Sequence, residues 1–290
     1  MTPDLAIIIP HFNDADRLAR CLAALEVQDR TGVDVVVADN GSAVDLTPLQ
    51  ARFPFVRLVH QSRPGAGLAR NAGVASTDAP WFAFIDADCV ADADWIARAK
   101  HIAAGDPDIV TGGRVDVFDE TPPPRTGAEA FEAVFAFHMR RYLEEEGFLG
   151  AGNLIVSRRT FDRTGPFLGH VAEDVEWSRR AAREGAVLAY DDALGVGHPS
   201  RSDWPSLCRK WRRMTDEAWA LRSLSGGLGQ RLAWVGRACL MPASIVLHMP
   251  RVLSCRALRP RERGPALATL IRLRLLRMVW MLRQAWRGRA

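Results

Sequence analysis

Cysteine is scarce in this chain and poorly placed for cross-linking. Cys21, Cys89, Cys208, Cys239 and Cys255 are odd in number and scattered, and no two form a C-x-x-C pair. That spacing argues against a disulfide framework and against a zinc cluster, and a reducing environment is expected. No basic segment with a cleavage site precedes the first apolar run, so no export signal is expected. Long apolar runs are missing too. The stretch 238–247 contains Pro242 and is bounded by Arg237 and His248, well short of the roughly 17 residues of a membrane span. Repeats and low-complexity tracts are absent apart from Pro122-Pro123-Pro124, which reads as a surface loop.

What is present is enough apolar material, 48% of 290 residues, to bury one large core or two modest ones. Charge is unevenly divided. From Arg201 onward lie 19 of the 38 Lys and Arg but only 4 of the 34 Asp and Glu. The C-terminal third is therefore a basic appendage on an acidic domain, and it calls for an anionic partner, a lipid surface or a nucleic acid.

Short Val-, Ile- and Phe-rich runs at Leu5 to Pro10, Val33 to Asp39, Val56 to Gln61 and Trp81 to Asp86 recur every 23 to 28 residues. Each ends in polar or Gly/Pro punctuation, a pattern that predicts parallel strands joined by helical crossovers. Asn13 and Asp14 are placed to cap a helix carrying Leu18, Cys21, Leu22 and Leu25. Strands are also predicted in Asp108 to Phe118, Asn153 to Ser157 and Val187 to Asp191, and helices in Glu129 to Glu146 and Glu173 to Glu184. After Asp203 the pattern is helical. Ile271, Leu275, Met278 and Leu282 form a stripe with Arg272, Arg274, Arg277 and Arg283 off it, which predicts a basic amphipathic helix of the kind that lies on lipid.

The chemistry concentrates at Asp86-Ala87-Asp88. A buried strand ending there delivers two carboxylates to the carboxyl edge of a sheet, where open α/β folds bind ligands, and hard oxygen donors suit Mg²⁺ or Mn²⁺ shared with phosphates. The same two residues could instead cap the following turn. Pro10-His11-Phe12-Asn13 forms a loop at the same edge, and Asp39 closes the second strand. Gly65 and Gly67 allow close backbone approach, with Arg70 a charged donor.

In this order the chain resembles a family 2 glycosyltransferase, inverting, with the A-type nucleotide-sugar fold. The likeness is carried by Ile7 to Asn13, Val35 to Ser42, Gly65 to Gly73, Asp86-Ala87-Asp88, Gly150-Ala151-Gly152-Asn153 and Glu173-Asp174. It implies an α/β fold, a Rossmann-like mixed, mostly parallel sheet flanked by helices, with a C-terminal basic helical extension. Donor contacts are implied for Pro10, Phe12, Asn13, Asp39, Arg70, Asp86, Gly152 and Asn153. Asp88, Asp86 and His198 are implied metal ligands for Mn²⁺ or Mg²⁺, and Asp174 the catalytic base. Glu173, Arg209 and Trp211 would position the acceptor or a loop; Cys208 departs from the processive signature around Arg209-Lys210-Trp211.

Expected boundaries are a catalytic domain at 1–222, with a nucleotide-binding half at 1–113 and an acceptor half at 114–222, then a helical extension at 223–290. The expected reaction moves a sugar from a nucleotide diphosphate, UDP by family habit, to a hydroxyl of a glycan or lipid-linked acceptor in cell-surface assembly. The basic helices are expected to dock the protein on an anionic membrane at its cytoplasmic face. No nucleic-acid partner is expected, since the basic region lacks a nucleic-acid motif and carries an apolar stripe. A sugar-phosphate nucleotidyltransferase and a non-catalytic binding module are the alternatives; the first requires a Gly-rich basic loop after strand one, where His11-Phe12-Asn13-Asp14 stands.

Overall fold

The computed structural model describes residues 3–169, 172–223 and 227–287 and divides into two compact units. One comprises Met1–Asp116 and His138–His198, the other Val117–Phe137 and Pro199–Ala290. The borders between these units fall at 116/117, 137/138 and 198/199, beside the expected domain borders at 113, 222 and 223. Of the expected extension, 224–226 and 288–290 lie outside the described residues.

The first unit opens with β1 (Leu5–His11), α1 (Ala15–Glu26), β2 (Val33–Asp39), α2 (Thr47–Arg52), β3 (Val56–His60), α3 (Ala66–Ala75) and β4 (Trp81–Ile85). A two-residue β5 (Val90–Ala91), α4 (Trp95–Ala103) and β6 (Ile109–Phe118) follow. The chain then supplies α5 (Gly127–Phe135) to the second unit. It returns with α6 (Met139–Arg141), prolonged by a π turn at Tyr142–Glu146, then β7 (Asn153–Ser157), α7 (Arg158–Thr164), α8 (Glu173–Arg183) and β8 (Val187–Pro199).

The eight strands run in the order β3-β2-β1-β4-β7-β6-β8-β5. β3, β2, β1 and β4 are parallel, whereas β7 is antiparallel to both β4 and β6, and β5 to β8. Every residue of β4 is buried, as expected of a parallel strand covered on both faces. Phe82, Phe84, Leu154, Phe161, Phe167 and Trp177 share one core, with Phe84 edge-on to Phe167 at 5.5 Å. Gly73 permits the approach of α3 to β1, since a Cβ there would fall 2.5 Å from Ile8 Cγ2. Asp14 caps α1 by accepting from the Arg17 N–H, and Leu18, Cys21, Leu22 and Leu25 form its buried face. Because β2 and β3 extend to one side of β1 and β4 lies on the other, the carboxyl ends of β1 and β4 flank a topological switch point, where such sheets bind ligands.

Two elements differ from the sequence expectation. β8 runs on to Pro199 instead of ending at Asp191, because Val196 and Gly197 pair with Ala91 and Val90. The helix expected over Glu129 to Glu146 breaks at 136–138, where Phe137 takes φ 54° and the chain passes between units.

The second unit is helical: α5, α9 (Trp204–Ser223), α10 (Leu228–Cys239), α11 (Met241–Ser254) and α12 (Pro260–Arg287). A reciprocal Thr126–Glu129 capping box starts α5. Its Ala128, Ala130, Phe131 and Val134 share a core with Leu207, Ala266, Leu270 and Leu273, which is why α5 belongs with the helices. The amphipathic stripe predicted on α12 is split. Met278 and Leu282 join the Trp234 core, while Ile271 and Leu275 are exposed, so the stripe is not one continuous lipid-facing surface. No single helix among the described residues is long and apolar enough to cross a membrane; α10 and α11 together reach that length but are bent by 49°.

Candidate active site

β1 and β2 end side by side, His11 in register with Asp39. His11 is buried, its Nδ1 lies 3.1 Å from Asp39 Oδ1, and its Nε2 accepts the Asp14 backbone N–H at 3.1 Å. The second bond places the ring hydrogen on Nδ1, which therefore donates to Asp39. Ser42 also donates to the carboxylate from its hydroxyl and its backbone N–H. Burial opposes ionisation of Asp39, but the bonds from Ser42 and His11 outweigh it and hold the carboxyl below its ordinary range. Sequence reasoning did not assign His11 a role; a histidine in register with an acidic strand end was the available signal.

Asn13 locks the same loop. It takes a positive φ of 51°, its Oδ1 accepts the Ala43 N–H at 2.8 Å, and its own N–H donates to Ser42 Oγ. Pro10 lies one residue inside the end of β1, and Phe12 projects from the edge with 61% of its surface exposed. Its aromatic face is left in water beside the switch point.

At the end of β4 the two aspartates part company. Asp86 Oδ1 accepts from Arg70 Nη2 at 2.6 Å, and Arg70 Nη1 reaches Glu173 Oε1 at 3.1 Å. Arg70 is buried at 4% exposure, and its Nε has no partner. Both terminal nitrogens of Arg70, an expected donor contact, are held by carboxylates, so it ties the end of β4 to the start of α8. Gly152 accepts the Asp86 N–H, and a Cβ at this position would stand 2.5 Å from Asp86 Oδ2. Asn153, another expected donor contact, is bonded within the protein. Its side chain is buried and accepts from Trp95 Nε1 while donating to the Arg114 and Leu194 carbonyls, so its amide is spent on joining strands.

Asp88 pairs with His198 instead, Oδ2 to Nε2 at 3.2 Å, an approach made by the β8–β5 pairing. Two donors bound cis to one six-coordinate ion with bonds of about 2.1 Å stand about 3 Å apart, so this oxygen and nitrogen fit a shared divalent ion. Asp86 is turned to Arg70, and among the described residues no group of three or more His, Cys, Asp or Glu side chains is gathered for a metal. Further ligands would have to come from substrate and water.

Asp174 sits in the first turn of α8 beside Glu173. Burial raises its pKa to about 6, the Glu173 charge adds to the rise, and the Val175 N–H and Arg70 counter it. Replacing Arg70 by Met is expected to lower stability by about 3 kcal/mol, because Asp86 and Glu173 lose their buried counter-charge. It should also move the acid limb of turnover to higher pH, since Asp174 loses a nearby cation; thermal melts and a pH–rate profile measure the two effects. Arg209 and Trp211 lie on α9 of the second unit, Arg209 exposed and Trp211 edge-on to Phe131 at 5.9 Å.

The profile of Glycosyl transferase family 2 matches residues 6–165. Glycosyltransferase AglE of Haloferax volcanii is 27% identical over 220 residues, 72% of this chain and 71% of its own length. A Pyrobaculum calidifontis mannosyltransferase in complex with GDP-Man and Mn²⁺ superposes with a TM-score of 0.56 at 17% identity, over 100% of this chain and 77% of that one. Staphylococcus aureus TarS in complex with UDP-GlcNAc does so at 0.55 and 14%, over 94% and 90%. At these identities the two structures establish the fold, an A-type glycosyltransferase architecture. With more than half its length matched by the family profile, the chain belongs to glycosyl transferase family 2.

Proposed function

We propose that this glycosyltransferase moves a sugar from a nucleotide diphosphate donor to a hydroxyl acceptor with inversion, Asp174 taking the acceptor proton. The observation that carries the reading is the arrangement at the carboxyl edge: an Asp88–His198 pair fit for a divalent ion, and a carboxylate raised to about 6 in the first turn of α8. Phe12 and Asp39 would hold the base, stacking on one face and accepting from its N–H edge, with His11 and Ser42 fixing the Asp39 carboxylate. Asp88 and His198 would hold Mn²⁺ or Mg²⁺. When bound, the ion supplies Lewis-acid stabilisation of the charge that develops on the departing diphosphate. Asp86 is oriented by Arg70, at the place where a ribose or a metal-bound water would meet it. A base with a pKa near 6 is mostly ionised at neutral pH and still basic enough to accept a proton in the transition state.

The metal-bearing neighbour carries GDP-mannose and TarS carries UDP-GlcNAc, so nucleotide choice is open to both, and UDP follows from family habit alone. The acceptor is proposed to be a glycan or a lipid-linked sugar in cell-surface assembly, met at the cytoplasmic face of a membrane. A thermal-shift screen of UDP, GDP and dTDP sugars with and without Mn²⁺ tests the reading. The expected result is stabilisation by one nucleotide class that depends on metal; no shift with any donor would overturn it.

A further inference from the structure

Where α9, α10 and α12 meet, the second unit contains arginines with no counter-ion among the described residues. Arg274 and Arg277 are one helical turn apart on α12 and so share a face, and Arg237 on α10 is close enough to act on both electrostatically. The Arg277 guanidinium lies 4.6 Å above the Trp211 ring. The Nε–H groups of Arg274 and Arg277 and the indole N–H of Trp211 are buried without an acceptor. Buried donors are nearly always satisfied, and buried like charges are costly without an opposite one.

The four carboxylates from Arg201 onward are engaged elsewhere. Asp203 accepts the Ser206 N–H, Asp216 takes Arg212 and Gln284, Glu217 takes Arg213, and Glu262 takes the N–H groups of Arg259 and Arg125. On α5 and the loop before it, Asp119 takes Arg125, Glu129 takes Thr121 and Glu132 takes Lys210, and no ion pair joins any of these carboxylates to Arg237, Arg274 or Arg277. Burial and the charges of Arg274 and Arg237 push Arg277 down to about 9, which an incoming anion would reverse.

We propose that Arg274, Arg277 and Arg237, against the wall formed by Trp211, make a binding site for a phosphate group brought from outside the chain. Guanidinium forks match the oxygens of phosphate in pairs, which a lone positive charge does not. The phosphate has two possible sources, a soluble phosphate or a lipid headgroup. The second is suggested by the exposed Leu228 and Leu232 on α10 and by Val246 and Leu247 on α11. The proposal stands apart from the transfer reaction and does not depend on it.

The test uses the full chain and the variants R274Q/R277Q, R237Q and R283Q, the last an exposed arginine on the same helix. Binding is measured by calorimetry with inorganic phosphate and pyrophosphate, and by flotation with phosphatidylglycerol or phosphatidylcholine vesicles. Wild type and R283Q should bind phosphate, phosphatidylglycerol vesicles or both, in preference to phosphatidylcholine. R274Q/R277Q should bind at least about tenfold more weakly. Loss of the soluble arm alone assigns a free phosphate, and loss of the vesicle arm alone assigns the lipid. The double variant should melt no lower than wild type without phosphate, since like charges are relieved; if it fails to fold, the exposed R237Q carries the comparison. Absence of binding by wild type, or binding by both Gln variants equal to that of R283Q, overturns the proposal.

Discussion

Replacing Asp174 by Asn is expected to lower kcat by about three orders of magnitude while raising thermal stability at neutral pH. The first effect follows if the carboxylate is the proton acceptor, since a positioned general base contributes about 10²- to 10⁴-fold and an amide accepts no proton at these pH values. The second follows from the pKa of about 6 in the folded protein against an ordinary aspartate value near 3.9. A carboxyl raised on folding contributes its full stability below the unfolded pKa and loses it as pH rises through the folded one. The Asn variant has nothing to lose, so its advantage should be absent below about pH 4, grow through pH 6 and level off above, at about 3 kcal/mol or several degrees in Tm. Wild-type turnover should show an acid limb near pH 6 that the variant lacks. A variant that is inactive but no more stable at pH 8 would contradict the burial argument while leaving the catalytic one standing.

Asp88→Ala should cost about three orders of magnitude in kcat/KM and abolish the dependence on Mn²⁺ within the measurable range. The reason is geometric: Asp88 Oδ2 lies 3.2 Å from His198 Nε2, whereas Asp86 is engaged through Oδ1 with Arg70 at 2.6 Å. His198→Ala should cost less, about one to two orders, because water can take the place of a neutral nitrogen on such an ion. Steady-state kinetics over a Mn²⁺ titration separate the two. Raised Mn²⁺ should rescue His198→Ala in part and Asp88→Ala not at all. Full activity of Asp88→Ala would remove the ion from the proposed mechanism.

What could be read from the sequence follows the range of the interactions concerned. The positions of Asp86, Asp88, Asp39 and Phe12 beside strand ends were legible because each needs only a local fact, an apolar strand ending at a sheet edge. The partners of Arg70 and Asn153 were not. One is claimed by two carboxylates and the other by an indole and two carbonyls, partners from 16 to 103 residues away that no local pattern names. The Asp88–His198 pair likewise requires β8 to run past Asp191 and meet β5. On α12 the error had a different cause. A four-three-four stripe marks a face that must be covered but not what covers it, and Trp234 covers half of this one.

The central claim is that donor binding and proton transfer belong to different carboxylates on the same sheet edge. Calorimetric titration of UDP and GDP with Mn²⁺ into Asp174→Asn and Asp88→Ala tests it most directly. The account predicts that Asp174→Asn binds its nucleoside diphosphate within about twofold of wild type while failing to transfer sugar, and that Asp88→Ala loses metal-dependent binding. Equal loss of binding in both variants, or none in either, would contradict it.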